Sequence, residues 1–150
     1  MKLLHALGAG LAGAVVLTIT HQVLRKLIDD APRMDLMGEE ALEKISDKAG
    51  VKLSKKNLYK TTMVADIIAN SLYYALAAMG KPQNATLRAS GLGLIAGIGG
   101  VVLPKPLRLT NAYSNRTITT RLLTMAIYSL GGLVSGKIAS ALQNKRQLRM

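Results

Sequence analysis

Residues 3–24 read LLHALGAGLAGAVVLTITHQVL, a run of 22 positions without Asp, Glu, Lys or Arg. A helix rises 1.5 Å per residue, so a run of this length spans about 33 Å and crosses a hydrocarbon core about 30 Å thick. A helix on the surface of a water-soluble bundle carries a polar residue every three or four positions on its outer side. Residues 3–17 carry no such face, and neither do residues 91–103. Lys2 precedes the first run, as in a signal peptide. The run is long for that role, however, and VLTITHQ offers no small-x-small cleavage pattern, so a retained membrane helix is expected.

Three more stretches follow the same logic. Residues 61–80 (TTMVADIIANSLYYALAAMG) are broken only by Asp66, residues 89–104 read ASGLGLIAGIGGVVLP, and residues 122–136 read LLTMAIYSLGGLVSG. The last extends to Leu142 if Lys137 snorkels to the headgroups. The third is stopped by Pro104-Lys105-Pro106, which cannot continue a helix. The expectation is an all-α integral membrane protein, a single four-helix transmembrane bundle. Its spans fall at about 3–24, 57–79, 87–103 and 121–142, with an extramembrane segment at about 25–54.

The remaining composition fits this picture. Twenty Lys and Arg against eight acids give a net charge of +12, beside 49% hydrophobic residues, no Cys, no Trp and no Phe. Charge and apolar sequence are therefore segregated. Without cysteine there is no disulfide framework and no thiolate metal site, and two histidines do not make a metal centre. A strongly basic soluble domain would suggest nucleic acid. Here no aromatic stacking platform or nucleic-acid motif accompanies the cations, which cluster beside apolar spans. Anionic lipid headgroups are the expected counter-charge, and no nucleic-acid partner or cofactor is expected. The glycine-rich SGLGLIAGIGG lacks the GK[ST] and the preceding strand of a phosphate loop.

Four spans place both termini and the 2–3 loop on one side, with seven cations: Lys2, Lys81, Arg88, Lys137, Lys145, Arg146 and Arg149. The other thirteen lie in or beside the 1–2 and 3–4 loops. The positive-inside rule counts cations and largely ignores acids, so it puts those two loops in the cytoplasm, in a plasma or bacterial inner membrane. In the 1–2 segment, HQVLRKLIDD is expected to continue the first helix to Pro32. Asp35 is placed to cap a short amphipathic helix, with an apolar stripe of Leu36, Ala41, Leu42 and Ile45. Gly50 ends that helix, and Ser54 is placed to cap the second span.

Small residues recur at four-residue spacing in three spans, the GxxxG pattern and its relatives. Gly10 lies between Ala6 and Ala14, with Gly13 on the adjacent row, while Gly93 pairs with Gly97 and Gly132 with Gly136. Helices in lipid gain from close backbone approach, which such rows permit, so tight contacts among spans one, three and four are expected.

Asp66 is the one acid outside the 1–2 segment, and an ionisable residue inside an apolar span is a functional hypothesis by default. Asn70 and Tyr73 follow at i+4 and i+7 on the same face. Counted from Thr61, Asp66 lies roughly 7–8 Å inside the boundary, on the 1–2 loop side. Lys137 lies about 24 Å from Arg121 by the same count, at the wrong depth to meet it. Arg121, His21 and Arg25 belong to the same end of the bundle as Asp66, and a polar clamp of Asp66 with Arg121, whose bidentate guanidinium suits a carboxylate, or with His21 is expected. No paired carboxylates, metal constellation or Ser-His-Asp arrangement is present, so an enzyme is not expected. The reading is a structural or accessory membrane element, self-associating or held in a larger membrane complex. The alternative is a small proton- or cation-coupled transporter or channel using Asp66.

Overall fold

The computed structural model describes residues 3–79 and 81–147; Lys2 and Arg149, counted above for orientation, lie outside them. Those residues form six α-helices and no strand: α1 (Leu3–Leu27), α2 (Met34–Lys48), α3 (Lys55–Ala78), α4 (Ala85–Val102), α5 (Ala112–Asn115) and α6 (Ile118–Gln147). A 3-10 turn, Pro82–Asn84, joins α3 to α4. Three stretches are long and apolar enough to cross a membrane: Leu3–Leu27, Ala85–Val102 and Ile118–Asn144. The helix α3 is not among them, so the count of spans by length and composition is three rather than the four expected. Its 24 residues are length enough, but Asp66, Asn70, Ser71, Tyr73 and Tyr74 dilute its hydropathy.

The helix ends follow local chemistry. α1 stops at Leu27, five residues before Pro32 rather than at it, because the Asp29-Asp30 turn and the restricted residue before proline leave the helical region. Asp35 does not cap α2. Arg33 holds the N-cap position without a side-chain cap, and Asp35 lies inside the first turn. Gly50 closes α2 at φ 73°, with Val51 N–H donating to Ser46 O and Gly50 N–H to Asp47 O. That is the paired bond pattern of a left-handed helix stop. The same pattern recurs where Leu109 N–H reaches Pro104 O and Arg108 N–H reaches Lys105 O, with Arg108 at φ 57° in the position glycine prefers. Ser54 Oγ accepts the Asn57 N–H at 3.4 Å at the start of α3.

The interior is built of small residues. Ala6, Ala9, Ala75, Ala78, Ala85 and Ala139 form the main buried cluster, while Leu4, Leu76 and Leu87 are 80%, 66% and 77% exposed. Large aliphatic side chains outside and alanines inside invert the distribution of a water-soluble core. α6 is the central helix, packed on α1, α3 and α4; α1 also packs along α3, and α4 lies against α6. Of the three glycine-rich helices, α1 and α4 share no extensive contact with each other, and each meets α6.

The backbone approaches explain the small residues. A Cβ on Gly93 would fall 2.5 Å from the Tyr128 carbonyl oxygen, and one on Gly97 2.6 Å from Met125 Cα. On Gly13 it would meet the Gly131 carbonyl oxygen at 2.5 Å, and on Gly136 Thr86 Cα at 2.6 Å. Gly10 and Gly132 are tighter still, against the carbonyl oxygens of Ser71 and Ala89. Only glycine permits these distances without displacing a helix.

α2 and the 3–4 loop close one end of the bundle. Thr120 Oγ1 donates to Asp30 O at 2.8 Å, Arg116 pairs with Asp30 at 3.1 Å, and Arg33 N–H donates to Tyr113 O at 2.8 Å. Lys44 donates to Arg108 O, and Thr110 N–H donates to Glu40 at 2.8 Å. α2 turns Asp35, Met37 and Gly38 toward the bundle and leaves Ile45 65% exposed, so its buried stripe is rotated from the expected one. An apolar stripe alone missed the pull of the buried carboxylate.

Candidate functional site

Several polar residues of the interior gather at the capped end. α1 contributes Thr18 and His21, α2 contributes Asp35, α3 contributes Thr62 and Asp66, and α6 contributes Thr124 and Tyr128. Together with Leu17, Pro32, Met34, Gly38, Met63 and Ile127 they line a cavity of about 30 Å³. A water molecule needs roughly 10–15 Å³ measured in this way, so the space suits about two waters or one small ion with a water.

One wall is a charge cluster. The Asp35 side chain is 2% exposed and is gripped by two guanidinium groups. Arg33 binds it as a fork, Nε to Oδ1 at 3.1 Å and Nη2 to Oδ2 at 3.0 Å, and Arg25 Nη1 donates to Oδ2. Burial works against the Asp35 charge, but the Arg33 hydrogen bonds and the charges of Arg33 and Arg25 outweigh it. The carboxyl is held below the usual aspartate range. The hydrogen bond to Asp35 in turn makes Arg33 more basic than usual. His21 Nε2 lies 2.9 Å from Pro32 O and 3.9 Å from Asp35 Oδ1. A carbonyl only accepts, so the proton resides on Nε2, and Nδ1 of the neutral ring is an acceptor.

Asp66 stands on the other wall, in a different condition. Its Oδ1 accepts from Asn70 Nδ2 at 3.0 Å, and the same amide donates to the Asp66 main-chain oxygen at 3.0 Å. Among the described residues no Lys, Arg or His forms an ion pair with it, and Oδ2 accepts no hydrogen bond. The expected Arg121 partner is absent. Arg121 is exposed and makes no ion pair, because α6 turns Thr120, Thr124 and Ile127 inward. Arg121 sits about 100° round the helix from Thr120.

The hydroxyls beside Asp66 are also unusual. Threonine in a helix commonly bonds back to the carbonyl four residues earlier, as Thr124 does to Thr120 O at 2.8 Å. Thr18 and Thr62, 9% and 6% exposed, have no partner for their hydroxyl oxygens. An unsatisfied buried hydroxyl costs on the order of 1–3 kcal/mol.

The expected face of Asp66, Asn70 and Tyr73 divides in the fold. Asp66 and Asn70 bond to each other, whereas Tyr73 leaves them, its hydroxyl donating to Leu92 O on α4 at 2.9 Å. Tyr74 was not singled out in the sequence, yet it is fully buried and donates to Tyr128 O on α6 at 2.7 Å. The Tyr73 and Tyr74 rings meet edge to face, 5.8 Å apart at 64°. Asp35 was likewise missed as a buried charge. The available signal was His21 and Arg25 at i and i+4 on one face of α1, which calls for an acid from another element. No group of three or more His, Cys, Asp or Glu able to hold a metal ion occurs among the described residues. Compared with known protein families, with curated proteins and with solved structures, the chain matches none.

Proposed function

We propose that the chain is a four-span membrane protein, with α3 as the fourth crossing, acting as a structural or accessory element rather than by turnover. The observation that carries the reading is the polarity of α3. Its outward face is apolar, with Val64, Ile68, Leu72 and Leu76 each more than half exposed, while Asn70 and Tyr74 are buried and Asp66 lines the interior cavity. A helix at a water-facing surface has the opposite arrangement. Outward apolar and inward polar is the arrangement of a helix solvated by lipid. α3 also packs along α1, from Gln22 near Met63 to Gly10 against Ser71 and Ala75, which supports reading the two helices as neighbouring crossings.

Several features favour a structural role. The interior is filled by close helix contacts, and the Tyr73 and Tyr74 hydroxyls tie α3 to its neighbours. The interlocked 1–2 segment and 3–4 loop lie at one end, which fits their assignment to one side of the membrane. Their cations favour the cytoplasmic side and anionic headgroups. In α4 only Ala85, Ala89, Gly93 and Gly97 are buried, leaving most of the helix to lipid or to a neighbouring protein. The second reading, a proton- or cation-coupled role for Asp66, is favoured by its unpaired oxygen in the cavity.

Isolation of the tagged chain from its native membrane in mild detergent, followed by intact-complex mass measurement, tests the structural reading. A stoichiometric assembly, with itself or a larger membrane protein, is expected. Recovery as a solitary monomer would contradict it.

A further inference from the structure

We infer that residues 48–60, where α2 gives way to α3, form a docking surface for the headgroups of anionic phospholipids; this deepens, and rests on, the reading of α3 as a crossing. The stretch KAGVKLSKKNLYK holds five lysines, Lys48, Lys52, Lys55, Lys56 and Lys60, and no acid. All five are exposed, and among the described residues none enters an ion pair. The preceding acids of α2 do not neutralise them. Glu40 is taken by Lys44, and Glu43 and Asp47 pair with none of the five. Cations crowded in this way repel one another, and an anionic surface facing them removes the repulsion.

One row of α3 selects lipid as the counter-charge. At four-residue spacing Lys56, Lys60, Val64, Ile68, Leu72 and Leu76 are all exposed. The row changes from cations to aliphatic side chains between Lys60 and Val64, about 6 Å along the axis. From Lys60 to the end of α3 at Ala78 the helix rises about 27 Å, close to the roughly 30 Å of a hydrocarbon core. Lys60 therefore stands where hydrocarbon gives way to phosphate. Beside it is Tyr59, exposed, whose amphipathic ring suits that boundary. Ile45 and Val51 flank the lysines in sequence and are also exposed, as side chains that enter the headgroup and acyl boundary are. An acidic peptide or a nucleic acid matches the charge but leaves these apolar groups in water, whereas a leaflet covers both. α1 adds a further cation at this depth. Gln22 meets Met63 and Gly10 meets Ser71, so the two helices run antiparallel, and Lys26, one turn beyond Gln22, stands level with Tyr59. Lys26 too is exposed and forms no ion pair among the described residues.

The test is native mass spectrometry of the full chain in detergent micelles, titrated with dioleoylphosphatidylglycerol or dioleoylphosphatidylcholine. A lysine near an anionic leaflet is worth about fivefold in affinity. Phosphatidylglycerol is expected to bind about tenfold or more tighter than phosphatidylcholine, with the preference shrinking as NaCl rises from about 50 to about 500 mM. The combined variant Lys52→Gln, Lys55→Gln, Lys56→Gln and Lys60→Gln should lose the preference. The same four positions changed to Arg should keep it, as should Lys81→Gln at the other end of α3. If the combined variant does not fold, Lys56→Gln and Lys60→Gln carry the test singly, each with a loss of about twofold to fivefold. Equal affinity for the two lipids, or a preference undiminished by the glutamines, would overturn the proposal. So would displacement of the lipid by glycerol 3-phosphate, or tighter binding of a poly-glutamate peptide or a short RNA than of phosphatidylglycerol. Labelling of Lys52→Cys and Gln83→Cys in sealed vesicles reads the crossing separately. Opposite sides with no lipid preference overturns this surface alone, whereas the same side overturns the crossing and the surface with it.

Discussion

Replacing Asp35 by asparagine removes one charge from the capped end while preserving its shape. The wild-type carboxylate is 2% exposed and bound by both Arg25 and Arg33. Breaking a buried ion pair from one side costs about 3–5 kcal/mol, because the remaining charge is left without its partner. Arg33 is 45% exposed and can turn to water, so its share is nearer the 0.2–1 kcal/mol of a surface pair. Arg25 is 22% exposed and tethered to α1, and it carries most of the loss. The expected cost of Asp35→Asn is therefore about 3 kcal/mol, or a midpoint lower by roughly 6–12 °C for a chain of this size. The pH dependence has a definite sign. Asp35 has a folded pKa below its ordinary 3.8, so its contribution is complete above that value and is lost as pH falls through the folded one. Wild type should lose midpoint below about pH 4 by an amount that Asp35→Asn does not show. The assay is thermal unfolding in detergent from pH 3 to 7, with Arg25→Ala expected to cost more than Arg33→Ala. A loss under about 1 kcal/mol, with the acid limb unchanged, would refute the reasoning.

Glycine contacts give a paired prediction. Gly132→Ala drives a methyl into the Ala89 carbonyl and should cost about 1–3 kcal/mol, whereas Gly91→Ala meets nothing within 4 Å and should be neutral or slightly stabilising. The two left-handed residues also predict opposite signs: Gly50→Ala should lose about 1–2 kcal/mol, and Arg108→Gly should gain about 0.5–1 kcal/mol. Both series are read from unfolding midpoints of single variants. Arg121→Ala should stay within about 0.5 kcal/mol of wild type, since the side chain is exposed and pairs with no acid; a larger loss would restore it as the Asp66 partner.

What the sequence made legible was whatever depends on one helix at a time. Charge-free runs located α1, α4 and α6 to within a few residues at each end, and Gly50 and Ser54 marked the stop and start beside them. α3 shows where that logic reaches its limit. Asp66, Asn70, Tyr73 and Tyr74 lower its hydropathy, while the burial of Asn70 and Tyr74 leaves its outer face apolar. Orientation depends on which neighbour packs where, and periodicity alone does not supply that. Asp66 was conspicuous because it interrupts an apolar run; Asp35 was not, because it sits among seven acids of one segment and its burial comes from the fold of α2 over α1. Depth counting correctly separated Asp66 from Lys137 but could not choose a rotation for α6, so Arg121 was assigned inward when it lies on the outer flank. The glycine rows pointed to close packing, yet only the assembled bundle makes α6 the helix that α1 and α4 both approach.

The central claim is that α3 crosses the bilayer with its polar face inward, and side-specific labelling tests it most directly. The chain contains no cysteine, so a thiol introduced at Lys52, before α3, or at Gln83, after it, is the sole target for a membrane-impermeant maleimide. Both positions are exposed. In sealed vesicles of one orientation, four crossings predict that one of the two labels from outside and the other only after the membrane is opened. Labelling of both from the same side would place α3 outside the set of crossings and contradict the account.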